Sequence, residues 1–211
     1  MIELKVCGMR DLENLKGLAA IKPDFVGLIF YPKSPRYIGD DVDSQVLSLL
    51  SGFENKVGVF VNETVGTILE KAAQFKLNFI QLHGNEPVGI CQKLKEKGLK
   101  VIKVFSVIDT LPIKSIAEYS AHVDYFLFDT KTPGYGGSGK IFNWEILQNY
   151  RSHVPYFLSG GIGLEEIKEL DQHKLPGLFA VDVNSKVEVK AGFKNLEMIR
   201  ELKSELNEYT D

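Results

Sequence analysis

The chain has 211 residues, 44% of them hydrophobic and 25% charged, with a formal net charge of -3. This is the composition of an ordinary soluble globule, long enough to bury a core as a single domain without staples or a structural metal. With no basic excess, no apolar run of membrane-spanning length and no secretory-type opening in MIELKV, nucleic-acid and membrane partners are not expected, and a cytoplasmic protein acting on small molecules is.

The first apolar run, 2–7, stops at Gly8 and leaves Cys7 at a strand tip, in Lys5-Val6-Cys7-Gly8. A free cysteine is usually a small core hydrophobe, whereas a thiol at a strand tip can be held as thiolate by cations or helix N-termini. Alternation puts Lys5 on the same strand face, one layer below. From there Lys5 either lowers the thiol pKa or joins an internal ion pair, with Asp182 as the candidate partner. After an amphipathic segment, Asp11–Ala20, the run 25–30 leads into the proline-stiffened loop Tyr31-Pro32-Lys33-Ser34-Pro35-Arg36. The Arg36 fork suits a carboxylate, the alternative being a solvated loop arginine. Amphipathic segments Asp40–Ser51, Thr64–Phe75 and Glu86–Lys97 then alternate with runs 56–61, 78–83 and 100–105. His83, ending the fourth run, is a candidate for positioning a substrate or else a structural donor. Cys91, inside the fourth helical segment, reads as core, and both cysteines read as free thiols; no metal site is suggested by the spacing of the four histidines.

The second half continues with Ile113–Ser120, run 124–129, Asn143–Tyr150, run 156–159, Leu164–Asp171, run 178–183 and Phe193–Glu208. Asp129 closes the sixth run, Tyr125-Phe126-Leu127-Phe128. A carboxyl at so apolar a strand end is a candidate general acid, its pKa raised by lost solvation; a loop cap is the alternative. Two glycine clusters, Gly134-Tyr135-Gly136-Gly137-Ser138-Gly139 and Ser159-Gly160-Gly161-Ile162-Gly163, and the pair Asn184-Ser185 follow the sixth, seventh and eighth runs. Glycines serve turns anywhere, but at successive strand ends they also let backbone N–H groups approach a phosphate.

Eight strands alternating with eight helices predict an α/β fold, a closed (β/α)8 TIM barrel, with its chemistry at the C-terminal strand ends. An open doubly wound sheet is the competing architecture. It would need a glycine fingerprint after the first strand, where KVCGMRDLENL has a single glycine.

The residues then match a family in blocks that span nearly the whole chain: K-V-C-G at 5–8, F-Y-P-K-S-P-R-Y at 30–37, V-G-V-F-V-N at 57–62, Q-L-H-G at 81–84, L-F-D-T at 127–130, G-G-S-G at 136–139, S-G-G-I at 159–162 and V-D-V-N-S at 181–185. The chain resembles the phosphoribosylanthranilate isomerases of tryptophan biosynthesis. The resemblance implies an Amadori rearrangement of N-(5-phosphoribosyl)anthranilate to 1-(o-carboxyphenylamino)-1-deoxyribulose 5-phosphate, without a cofactor or metal. It implies Cys7 as general base, Asp129 as general acid and Arg36 on the anthranilate carboxylate. It also implies phosphate binding by backbone around Gly137, Gly139, Gly160, Gly161 and Ser185. Beside the resemblance, His83 and Asp182 stand as candidates for positioning the substrate. Lys186 departs from the family pattern, which has glycine there in many members, and Ser159 stands where alanine is common; Lys186 is compatible provided the backbone does not need positive φ.

Two other readings compete. A related histidine-pathway phosphosugar isomerase would have an aspartate at position 7 and two similar half-barrels, which this sequence lacks. A non-catalytic phosphate-ligand barrel would have no need to retain both Cys7 and Asp129. The expected partner is a small phosphosugar, and the chain is expected to be a monomer or a homodimer.

Overall fold

The computed structural model describes residues 1–40, 42–130, 142–173 and 175–208. Eight parallel strands close into a barrel in sequence order: β1 (Glu3–Val6), β2 (Phe25–Ile29), β3 (Asn55–Phe60), β4 (Phe79–Leu82), β5 (Lys100–Val107), β6 (Tyr125–Thr130), β7 (Tyr156–Leu158) and β8 (Leu178–Val183). Closure is made by β8 pairing with β1, from Glu3 opposite Ala180 to Val6 opposite Val183. Helices α1 (Leu12–Ile21), α2 (Ser44–Leu50), α3 (Val65–Phe75), α4 (Val88–Glu96), α5 (Ile113–Tyr119), α6 (Leu164–Lys168) and α7 (Leu196–Glu208) lie between or after the strands. The fold is the α/β barrel expected, and the open sheet is excluded. A hairpin, β9 (Glu188–Lys190) with β10 (Phe193–Lys194), follows β8.

The strands are apolar on both parities because each has two faces to bury. One parity packs under the helices. The other fills the barrel with Phe25, Val57, Phe79, Leu127 and Phe157. Phe25 meets Phe79 and Phe157 edge to face at 5.1 and 5.2 Å, a preferred arrangement for aromatic rings. This plug fills the lower interior, so polar inward side chains accumulate above it.

Helix starts follow local chemistry. Asp11 and Thr64 accept the N–H of Asn14 and Thr67, as the sequence suggested, but Asp43 rather than Asp40 caps α2. The segment expected as a helix over Asn143–Tyr150 is instead a 3₁₀ turn, Trp144–Asn149. Its buried Trp144 and Leu147 are three residues apart, a spacing that stacks on one side of a 3₁₀ turn. The last helix starts at Leu196 because Phe193 and Lys194 pair with β9. Among the described residues no helix is long and apolar enough to cross a membrane.

Candidate active site

Cys7 leaves β1 with its N–H donated to the Val183 carbonyl at 3.0 Å. Its sulfur rests against Gly27 of β2, where an added Cβ would come within 2.8 Å of Sγ, so the glycine in FVGLIF makes room for the thiol. One layer down, fully buried Lys5 donates from Nζ to Asp182 Oδ1 at 2.8 Å. Lys5 thus takes both roles open to it, the ion pair with Asp182 and a charge that acts to lower the thiol. Burial pushes Cys7 up from its ordinary value, and Lys5, whose charge is already shared with Asp182, and the more distant Lys194 do not reverse it. Burial thus works against the thiolate that nearby cations were expected to hold at this strand tip.

Asp129, near the end of β6, projects with Leu127 toward the barrel axis. Its Oδ2 lies 3.4 Å from His83 Nε2, and His83 Nδ1 lies 3.3 Å from the Gln81 carboxamide nitrogen. With that amide donating, Nδ1 is the acceptor and the neutral ring carries its hydrogen on Nε2, facing Asp129. Gln81 is buried, and its Oε1 has no partner among the described residues. Behind Asp129, Gly160 has φ +93° and no room for a side chain: a Cβ would lie 2.4 Å from Thr130 Oγ1 and 2.9 Å from Asp129 Oδ1.

Gly161 also has positive φ, at +73°, so two successive left-handed residues turn the chain between β7 and α6. Gly163 N–H is taken by Glu166 Oε2 at 2.7 Å, but among the described residues the N–H groups of Gly160, Gly161 and Ser185 have no acceptor. Three open donors at strand ends seven and eight are an anion cradle in form. Lys186 does not have positive φ, so lysine is accommodated there without strain, and its exposed ammonium lies 3.8 Å from Glu166. Gly137 and Gly139 lie outside the described residues.

Arg36 is held differently from a free fork. Nε donates to Glu188 Oε1 and Oε2 at 2.9 and 3.0 Å, and Nη2 donates to Oε2 at 2.7 Å. Glu188 also accepts from Lys194 Nζ at 2.7 Å and from Gly192 N–H at 2.9 Å. Burial opposes ionisation of Glu188, yet the hydrogen bonds from Arg36 and Lys194 hold its carboxyl below the usual range. The Arg36 stem crosses the first strand tip over Gly8, where a Cβ would sit 2.8 Å from its Cδ.

One cleft at the C-terminal end of the barrel is lined by Cys7, Arg36, His83, Asp129, Gly160 and Asp182. Six residues singled out in sequence, from six different strand ends, thus line one cleft. Gly161 and Ser185 follow lining residues without lining the cleft themselves. The apolar side, formed by Ile29, Val59 and Val61, carried no signal beyond strand hydrophobicity. Gln81, Glu188 and Lys194 were also missed; a glutamine at an inward barrel position was a usable signal for the first.

A sequence model described as N-(5'phosphoribosyl)anthranilate (PRA) isomerase matches residues 4–205. The N-(5'-phosphoribosyl)anthranilate isomerase of Phocaeicola vulgatus is 44% identical over 192 residues, 91% of each chain. That of Parabacteroides distasonis is 39% identical over 203 residues, 93% of this chain and 90% of the relative. The crystal structure of phosphoribosyl anthranilate isomerase from Thermotoga maritima superposes with a TM-score of 0.86 at 36% identity, covering 99% of this chain and 100% of the other. A phosphoribosyl anthranilate isomerase solved in complex with reduced 1-(o-carboxyphenylamino)-1-deoxyribulose 5-phosphate superposes with a TM-score of 0.83 at 31% identity and the same coverage.

Proposed function

The chain belongs to the N-(5'-phosphoribosyl)anthranilate isomerase family, and from that premise we propose that Cys7 is the general base and Asp129 the general acid of its reaction. It is an isomerase of tryptophan biosynthesis, whose substrate is a small phosphosugar carrying an anthranilate. Asp129 gives its proton to the ribose ring oxygen as the bond from that oxygen to C1′ breaks, and the anilino nitrogen lone pair forms the C1′ iminium. Cys7 then takes the C2′ proton, and those electrons neutralise the iminium to give an enolamine. Tautomerisation returns a proton to C1′ and leaves the C2′ ketone, so the net change is an isomerisation. The substrate's own nitrogen is the electron sink.

The observation that carries this reading is the placement of Cys7 and Asp129 at the tips of β1 and β6 on the wall of one cleft, with a cationic group and open N–H donors beside them. The carboxylate end of the substrate would meet Arg36, with the ring against Ile29, Val59 and Val61. The phosphate would meet the backbone around Gly160, Gly161 and Ser185, together with Gly137 and Gly139. His83, aimed by Gln81, would hold Asp129 in place, and Asp182 would hold Lys5 beneath the thiol and face the sugar. Fixing both charged ends places the sugar between acid and base, which is worth several orders of magnitude in rate. A cytoplasmic location suits an enzyme that acts on a small phosphosugar of amino-acid biosynthesis.

Cys7→Ala and Asp129→Asn test the assignment. Each should lower kcat by at least about a thousandfold while changing KM far less, because each group acts on the transition state. Fluorescence of the anthranilate adduct, coupled to the next pathway enzyme, follows the turnover. Near-normal kcat in either variant would remove that residue from its role.

A further inference from the structure

Arg36 enters the proposed reaction as a carboxylate clamp, yet its guanidinium already has a carboxylate partner. A guanidinium offers five N–H groups and two edges able to take a carboxylate bidentately, one formed by Nε with an Nη and one by the two Nη groups. Glu188 occupies the first edge, through Nε and Nη2. Among the described residues no acceptor meets Nη1, so the second edge is open, and Arg36 lines the cleft.

We infer that Glu188 is a positioning residue that aims the open edge of Arg36 into the cleft, and thereby sets the preference for substrates bearing a ring carboxylate. The inference deepens the reading of Arg36 given above and rests on it. Glu188 is itself held on three sides. Lys194 and Gly192 donate to Oε1, and Lys194 is buried with its ammonium also on Asn184 Oδ1 at 2.7 Å. The Lys194 backbone is in turn locked to α1, its N–H donating to Asn14 Oδ1 at 2.7 Å and its carbonyl accepting from Asn14 Nδ2 at 2.9 Å. The loop arginine is therefore fixed from a rigid helix through β10 and Glu188. A loop arginine without such an anchor would have to be ordered by each substrate that binds.

Charge points the same way. Arg36 and Lys194 together carry two positive charges against the single negative charge of Glu188. One positive charge is left over at the rim, and one arene carboxylate neutralises it. An arene without the carboxylate leaves this rim charge uncompensated when its ring covers it, which is a discrimination against such substrates.

The opposite role is physically distinct: Glu188 could compete with the substrate carboxylate for Arg36 and have to be displaced. The test measures binding of two ligands to wild type, Glu188→Gln and Arg36→Met. One ligand is reduced 1-(o-carboxyphenylamino)-1-deoxyribulose 5-phosphate, and the other is its counterpart with no ring carboxylate. If Glu188 aims Arg36, Glu188→Gln weakens the carboxylated ligand by roughly tenfold or more and the carboxyl-free ligand by less than about twofold, with KM rising by more than kcat falls. Equal weakening of both ligands would make Glu188 merely structural and overturn the inference. Tighter binding of the carboxylated ligand would make Glu188 a competitor and also overturn it. Arg36→Met separates the two levels. If it leaves the preference for the carboxylated ligand intact, the clamp itself is wrong; if it abolishes the preference while Glu188→Gln keeps it, only the role of Glu188 is wrong.

Discussion

The two ends of the barrel bury charge in opposite ways. At the C-terminal end the buried ions are matched by sign: Lys5 with Asp182, Lys103 with Glu86, and Glu188 between Arg36 and Lys194. At the N-terminal end a second cleft is lined by Glu3, Asp24 and Glu54, three carboxylates, with Lys22 as its lone cation among the described lining residues. There Glu3 is pushed up to about 7, first by burial and then by Asp24, which faces it with the same charge. Opposite-sign pairing at one end fixes side chains in a single arrangement against a high desolvation cost. Like-sign crowding at the other end, where Asp24 accepts the Leu4 N–H at 2.8 Å beside Glu3, costs stability at neutral pH. The difference teaches which end was shaped for chemistry: among the described residues the matched end leaves oriented, unused capacity in the second edge of Arg36, Gln81 Oε1 and the N–H groups of Gly160 and Gly161.

The largest break in that contrast comes from removing one member of a matched pair. Lys5→Met leaves Asp182 buried without its cation and Cys7 without its nearest positive charge. Urea unfolding should then show a loss of about 3–5 kcal/mol, and turnover should fall steeply. Adding Asp182→Leu should recover much of the stability and none of the turnover, because two apolar groups replace the pair without replacing its field. Full stability in Lys5→Met alone would mean that the pair does not hold this end together.

A smaller effect, read in rate alone, concerns the thiol above that pair. Burial raises Cys7, so below its pKa each pH unit should increase the thiolate fraction tenfold. Alkylation by iodoacetamide should be slow at neutral pH and still climbing at pH 9, and kcat/KM should rise on the same limb while Asp129 retains its role. Cys91, fully buried in α4 and pushed up to about 11, should stay unlabelled over that range. A pH-independent labelling rate at Cys7 between pH 6 and 9 would show a thiolate already formed in the free enzyme, against the burial argument.

That burial argument marks the boundary of what the chain alone makes legible. The eight strands were readable because parallel strands buried on both faces leave continuous apolar runs. The Lys5–Asp182 pair was readable too, since closure of a barrel sets the first strand beside the last and both residues sit on inward parity. Arg36 and Glu188 were not readable as a pair, being 152 residues apart and joined through a hairpin whose short strands lack a hydrophobic pattern. The sixth connection misled because apolar residues three apart satisfy a 3₁₀ turn and an α-helix alike. The protonation of Cys7 depends on how completely the site is desolvated, a property of the packed barrel and not of any one segment.

The smallest effect belongs to the mismatched end, and it has the opposite sign. For Glu3 the folded-state pKa, about 7, lies above the ordinary carboxylate value of 4.5, so the folded chain binds the proton more tightly than the unfolded one. Stability associated with this group is therefore greatest below pH 4.5, declines as pH rises through the window to about 7, and the full penalty applies above it. Glu3→Gln should remove that penalty. Because Glu3 is only partly buried, solvent screening reduces the gain to about 1 kcal/mol at pH 8, and it should vanish at pH 4. Urea unfolding at the two pH values measures the difference, and kcat should not change, because the aromatic plug of Phe25, Phe79 and Phe157 lies between Glu3 and the catalytic cleft. A gain that persists at pH 4 would trace to packing or hydrogen bonding in place of charge, and the contrast between the two ends would then rest on the matched pairs alone.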